Sequence, residues 1–380
     1  MTFSARLFIC HMQEEQVIIK NFIKQKTILK NLLAISYIAV ISVSLSSCKS
    51  SPVEPNIEPG RRDYTWTIID SITSNVVLDR VWGDSPDNIW IGGEFALNPT
   101  ERLWHYDGIK LQSRNNGEMY PQCIFGFDKN NIMITSNSDI WKYNGTSWNK
   151  WFSIDMFWYS SYFYATINNV NGTRPDNLWG VGTALDQTGT VEDGIIYKDT
   201  GNGLINKYKT SAGNISFFYV YPGYDNDQCF IWGIKRRRNP TVDTSCVWEY
   251  RGNKLNSIHK GVWNNPDEGC AVNRIDNVIY ITIGKKIYRY YAGKLYEYLT
   301  VNNPDFIFNV LGRNEKDLFL WSQYGLLHYN GTDIQYVYKP GYPFSIKDNI
   351  IFFENEMYFF GRNENNGKYY LVKGILPDNK

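Results

Sequence analysis

The stretch "VWGDSPDNIWIGGE", Val81 to Glu94, sets a polar turn, Asp84 to Asn88, between two apolar triplets, Val81-Trp82-Gly83 and Ile89-Trp90-Ile91. Three successive apolar residues after a turn read as a short strand buried on both faces. The phrase returns at "VNGTRPDNLWGVG", residues 170–182. Further equivalents of Ile89-Trp90-Ile91 follow polar turns at Ile132-Met133-Ile134, Leu178-Trp179-Gly180, Cys229-Phe230-Ile231, Val278-Ile279-Tyr280, Leu318-Phe319-Leu320 and Met357-Tyr358-Phe359. These seven copies have middle residues 43, 46, 51, 49, 40 and 39 apart. That is the period of propeller blades, and longer than most solenoid repeats.

The flanks of each copy supply the rest of a blade. Ile124-Phe125-Gly126 and Val310-Leu311-Gly312 repeat the first triplet and read as inner strands, with small residues where blades crowd the axis. Trp104-His105-Tyr106-Asp107-Gly108, Trp141 to Gly145, Trp248 to Gly252 and Leu327 to Gly331 alternate and then end in a turn, as third strands do. Thr146–Phe152 and Lys254–Ile258 read as fourth, outer strands. The last copy stops near Lys373-Gly374 without a fourth strand, while Tyr64–Asp70, "YTWTIID", precedes the first copy with no blade of its own. Joining the two closes a ring and leaves no open sheet edge. The expected fold is therefore all-β: a seven-bladed β-propeller with velcro closure by the N-terminal strand.

Aromatic residues make up 16% of the 380, and charged residues only 20%, which suits strand-rich packing and not disorder. The formal net charge of +1 gives no reason to expect nucleic acid as a partner. Lys20, Lys24, Lys26 and Lys30 precede an uncharged run, Leu32 to Leu45, too short to span a bilayer and of the length of a signal h-region. Leu45-Ser46-Ser47-Cys48 closes it. The domain reading is a signal peptide over 1–47, a Pro-rich tether over 48–62 and the propeller over 63–380. Cys123, Cys229, Cys246 and Cys270 lack CxxC spacing, so no zinc site is expected, and buried thiols are favoured over a disulfide.

Leu45 to Cys48 resembles the bacterial lipobox, and the repeat resembles a loose group of bacterial β-propeller lipoproteins with regulator-type repeats. A weaker likeness to kelch repeats comes from Gly92-Gly93, a doublet that does not recur. The resemblance covers Tyr64 to Gly374. It implies lipidation at Cys48 and a place in the bacterial cell envelope; Lys49 after the cysteine implies, by the group's sorting pattern, the outer membrane.

Loops that emerge together on one face are the expected seat of function. They are Glu94–Arg102, Thr183–Gly194 and Lys235–Ser245 between second and third strands, with the inter-blade links Ile154–Ala165, Lys260–Gly269 and Lys339–Phe344. Trp158, Tyr159, Tyr162, Trp263 and Tyr342 give that face aromatic surface, and Arg237 sits in a tetrabasic tip. Such platforms stack on sugars or anchor proteins. The expected function is a non-catalytic binding module for a glycan or an envelope protein, with no cofactor, no metal and no catalytic residue assigned. A polysaccharide-processing enzyme would draw on Glu94, Glu101, Asp186, Glu192 or Asp193, and a scaffold in an envelope assembly is the third class. Asp225-Asn226-Asp227 and the Asn-Gly-Thr triplets at Asn144, Asn171 and Asn330 are read as turns. The repeat position shared by His105, Lys142, Glu249 and His328 is read as facing solvent.

Overall fold

A computed structural model describes Lys26 and residues 57–378, except 73–76, 94–100, 115–117, 156–161, 190–191, 200, 202, 212, 237–241 and 264. Residues Glu58–Lys380 form one compact unit. The lipobox cysteine Cys48 and the signal segment lie outside the described residues.

The unit consists of seven four-stranded antiparallel sheets, six of them in plain chain order. The seventh has the order β1, β28, β27 (Glu356–Asn363), β26 (Phe344–Phe352). Here β1 (Thr65–Ile72) pairs with β28 (Tyr369–Ile375) from Thr65↔Ile375 to Ile72↔Tyr369, the closure expected from the unpaired N-terminal strand. Seven apolar clusters match seven seams. In one, Ile89, Ile91 and Tyr106 of the first blade pack on Tyr358, Phe360 and Leu371 of the last. Each strand triplet read from the sequence lies in the strand next to the innermost of its sheet, and all of its residues but Val278 are buried. In β3 (Asn88–Gly92), Ile89, Trp90 and Ile91 are 0%, 3% and 0% exposed, each side chain contributing about 1.5–3 kcal/mol by burial.

The middle-strand position faces one third-strand position in every blade. Trp90 opposes His105, Met133 opposes Lys142, Trp179 opposes Lys198 and Phe230 opposes Glu249. Tyr280 opposes Arg289, Phe319 opposes His328 and Tyr358 opposes Lys373. The fifth blade corrects the sequence register by one: Tyr280, and not Ile279, matches Trp90. Blades one, two and six carry a bulge before the first turn, at Gly83/Ser85, Gly126/Asp128 and Gly312/Asn314. The fifth has none, and its hairpin closes on Asp276 and Asn277, both at positive φ. Without the extra residue, counting from the turn slips by one.

The third-strand position is also corrected. His328 is wholly buried, stacked 4.4 Å from Phe319, with Nε2 2.7 Å from Asp317. His105 lies 4.3 Å from Trp90 and bonds Asn88 at 2.9 Å. Lys142 and Lys198 sit over Trp151 and Trp179, and Glu249 accepts from Tyr290 at 2.7 Å. A polar residue is needed here to cover an aromatic ring while bonding the turn or the next blade, so its type varies although it does not face open solvent.

Two expected loops are shorter than the sequence suggested. Residues Thr183–Gly194 belong mostly to β11 (Leu178–Asp186) and β12 (Glu192–Asp199), and Tyr162–Ala165 begin β10 (Tyr162–Gly172). The Asp225 turn is as expected, with Asp225 accepting from the Asp227 amide at 3.0 Å and pairing with Arg251. Asn144 and Asn330 likewise cap turns. Asn171 does not: it lies in β10 opposite Trp179. The four propeller cysteines are buried and free; Cys229 opposes Tyr250 and Cys246 opposes Gly233, so the register keeps them apart.

Candidate functional site at the axis

The inner strands are β2 (Arg80–Ser85), β6 (Cys123–Asp128), β10, β14 (Ile215–Pro222), β18 (Cys270–Ile275), β22 (Phe306–Asn314) and β26 (Phe344–Phe352). Pairing to the middle strands places Trp82, Phe125, Asn171, Tyr221 and Asn273 in one tier. Residues two earlier share the same strand face, so Arg80, Cys123, Asn169 and Tyr219 form the tier above. These tiers line an axial channel that widens into two cavities.

The upper cavity, about 630 Å³, opens where the inter-blade links emerge and is lined by Trp263, Pro266 and Lys347. The lower, about 650 Å³, opens among the first hairpin turns, beside Gly83, Thr173 and Asn277. Tyr219, Tyr221 and Asp348 line both and form the waist.

Bulges aim side chains into this channel. Register shifts interrupt β22 between Phe306 and Val310, and β26 between Lys347 and Ile350. Phe308 and Asp348, in those bulges, have φ of 48° and 54°. Asp visits the left-handed region more readily than most residues, but Phe does not, and strain at Phe308 costs roughly 1–3 kcal/mol. Both line the upper cavity.

At the waist, Asp348 accepts the Val81 amide at 3.2 Å, across the seam between the last blade and the first. Burial pushes its carboxyl up to about 6, against the pull of Arg80 and of the Val81 amide. Burial also raises Asp79 and the Tyr219 hydroxyl. Arg80 donates Nε to the Gln122 carbonyl, and Nη1 lies 3.0 Å from both the Asp79 carbonyl and its carboxylate. Among the described residues Nη2 has no partner and is left to the channel.

From rim to waist the rings form a run. Trp263 packs on Trp232 at 5.3 Å with the rings tilted by 43°, and Trp232 lies 5.8 Å from Tyr219. The Trp232 Nε1 donates to the Cys270 carbonyl at 2.7 Å, which fixes its plane. Trp321 and Phe308 complete an aromatic wall. Cys270 lies 2.7 Å from the Ser245 Oγ, but burial pushes its thiol up to about 12, so it offers no nucleophile at neutral pH.

The residues read from the sequence are spread unevenly over this geometry. Trp263 is 37% exposed and lines the upper cavity. Tyr162 is at the start of β10, donating to Asp193 at 2.5 Å under Lys209. Tyr342 packs 6.3 Å from Phe344 in the seam of the last two blades. Neither tyrosine lines the cavity. Trp158, Tyr159 and Arg237 lie outside the described residues, as does Glu94. Glu192 and Asp193 are held by Arg236 and Thr210, away from the axis. Among the described residues no group of three or more His, Cys, Asp or Glu is placed to hold a metal.

The sequence reading missed Arg80, Asp348, Tyr219, Trp232 and Trp321. One signal was present: in "FSIKDNII" the polar run Lys347-Asp348-Asn349 breaks an alternating strand, as a bulge does.

No family model matches the chain, and no curated protein matches it. Solved structures do. An oligogalacturonate lyase from Vibrio parahaemolyticus is 10% identical with a TM-score of 0.56, over 85% of this chain and 96% of that one. An oligogalacturonate lyase in complex with manganese is 10% identical with a TM-score of 0.57, over 85% and 99%. BBS1N, in complex with ARL6DN, is 12% identical with a TM-score of 0.53, over 85% and 98%. At such identities the likeness is one of fold.

Proposed function

We propose that the protein is a lipid-anchored β-propeller of the bacterial cell envelope, at the outer membrane, that binds a glycan in the upper axial cavity. The observation that carries the binding reading is the run of rings Trp263, Trp232 and Tyr219 descending to the Arg80 guanidinium, which is set between Asp79 and Asp348. Indole and phenol faces stack on the C–H faces of sugars, while fixed polar groups at the floor orient hydroxyls or an acidic substituent. Strain at Phe308 supports the same address, because backbone outliers gather where a site needs a side chain re-aimed. The anchor rests on Leu45-Ser46-Ser47-Cys48.

The test is retention on immobilised bacterial polysaccharides, with tryptophan fluorescence titration of the soluble fragments. Trp263→Ala, at a part-exposed position, weakens binding at least tenfold and leaves the fold intact. Equal binding by the variant, or no binding by the parent to any glycan tried, overturns the reading. Product analysis on a retained glycan separates a binder from an enzyme. For the anchor, Cys48→Ala abolishes labelling by an alkyne fatty acid and releases the protein from membranes; unchanged fractionation refutes it.

A second reading, an envelope protein partner, has its own support. Phe163 (75% exposed), Val242 (44%) and Val262 (36%) stand on the same rim as Trp263, more apolar surface than a sugar needs. BBS1N, of like fold, is found in complex with a protein. Cross-linking from this rim to a defined protein, with no glycan bound, favours it.

A further inference from the structure

We propose that the lower axial cavity is a second binding site, for an uncharged saccharide. It is separate from the upper site and does not rest on it. The cavity, about 650 Å³, is within the range of small-ligand pockets. One tier of its wall sets the rings Trp82, Phe125 and Tyr221 and the carboxamides Asn171 and Asn273 beside the aliphatic Leu311 and Ile351.

Part of that polar lining is already used. Tyr221 donates to Asn273 at 2.8 Å, and Asn273 donates to Asn309 at 2.6 Å. Three groups are not used. Among the described residues, the Trp82 Nε1 and the whole Asn171 carboxamide have no hydrogen-bond partner. Asn349 accepts the Ile350 amide at 2.9 Å, and its own amide nitrogen stays open. One indole donor, one amide with both functions and one further amide donor thus face the same space from three blades. This set can take and give hydrogen bonds to hydroxyls.

The Trp82 plane is fixed. Its benzo edge lies so close to Gly126 that a Cβ there would sit 2.6 Å from Cζ2. The ring therefore presents one settled face, as stacking on a sugar requires.

Charge argues for a neutral ligand. The Arg274 guanidinium is spent on the Pro222 carbonyl at 3.2 Å and the Asn277 side chain at 2.9 Å. Asp276 stands at the rim and Asp348 at the waist, the latter facing Arg80. Among the described residues the lining thus sets one cation, Arg274, against two acids, and it offers an anion no net positive charge.

The experiment uses the full chain labelled with 5-fluorotryptophan and observed by fluorine NMR. The Trp82 line is identified by its absence in Trp82→Phe. The probes are maltopentaose, cellopentaose, xylopentaose and mannopentaose. The expected result is that at least one moves the Trp82 line saturably, that Asn171→Ala weakens this response about tenfold, and that Trp263→Ala leaves it unchanged. The remaining lines report that Asn171→Ala is folded. If no probe moves the Trp82 line, or if the response disappears in Trp263→Ala, the lower site is refuted. The second outcome would still support glycan binding at the upper cavity, so the two readings fail separately.

Discussion

Asp348 joins a bulge, a desolvated carboxyl and the closing seam in one residue. Its carboxyl titrates near 6 because burial disfavours the charge. A raised acid binds more protons folded than unfolded. Stability therefore falls as pH rises from about 4, the unfolded value, to about 6. Above that window the ionised carboxylate costs about 2 kcal/mol, a figure reduced for channel water. Asp348→Asn is expected to flatten the dependence between pH 4 and 6 and to be at least as stable as the parent at pH 7.5. Urea unfolding across that range checks it, and an unchanged slope would show that Asp348 is not the group responsible. Thiols test the same interior. Burial pushes Cys123 and Cys270 up to about 12 and Cys246 up to about 11. Iodoacetamide at pH 8 should leave all four propeller cysteines unmodified in the native protein and alkylate them in guanidinium. Their burial was legible from apolar strand context. Asp348 was marked only by the polar run Lys347-Asp348-Asn349, because a bulge reassigns which residues of a strand face inward, and pairing with a partner strand is what shows which.

The elements were the most legible scale, for a physical reason. Asp-Gly or Asn-Gly turns, at Asp107, Asn144 and Asn330, and the buried triplets of the second strands are local signals, and the triplet recurs in each blade. The channel is the opposite case: its lining comes from seven strands some forty residues apart, a few residues each, so no window of sequence contains it. The fifth blade shows the limit, since one missing bulge shifted the register there. The segment before β1 was read as tether up to residue 62, yet it is already docked. Gly60 donates to the Lys316 carbonyl at 2.9 Å. Arg62 pairs with Asp333 at 2.6 Å, donates to the His328 carbonyl at 3.0 Å and reaches the His328 Nδ1 at 3.3 Å. Those bonds link the approach to β1 with the sixth blade, and β1 itself with the seventh. Arg62→Ala should speed amide exchange across Thr65–Ile72 and lower stability by about 1–2 kcal/mol. Exchange in the middle strands at matched stability should not change; a uniform rise throughout would mean that the contact is not local to the closure.

Ring closure is a property of the whole molecule, and it gives the sharpest test. Seven seams each bury an apolar cluster, but only the last sheet is built from both ends of the propeller. Removing residues 57–72 would strip the outer edge of β28 of its hydrogen bonds. It would also take away Trp66, whose ring lies 5.3 Å from Tyr338 and 5.6 Å from Phe359, and Ile72, which is 4% exposed. At about 1.5–3 kcal/mol for each large side chain, Tyr64, Trp66 and Ile72 together contribute on the order of 5 kcal/mol. That is a large part of a typical folding free energy of about 5–15 kcal/mol. The first and last blades would still touch through Asp348 and Val81 and through the Ile89–Tyr358 cluster, so the shortened chain should fold, with Tm lower by on the order of 10 °C. The bared β28 edge would then pair with a second copy, and sedimentation should show concentration-dependent association absent from the parent. A shortened chain with unchanged Tm that stays monomeric would mean that side-chain packing at the seam closes the ring alone, and that the N-terminal strand merely covers it.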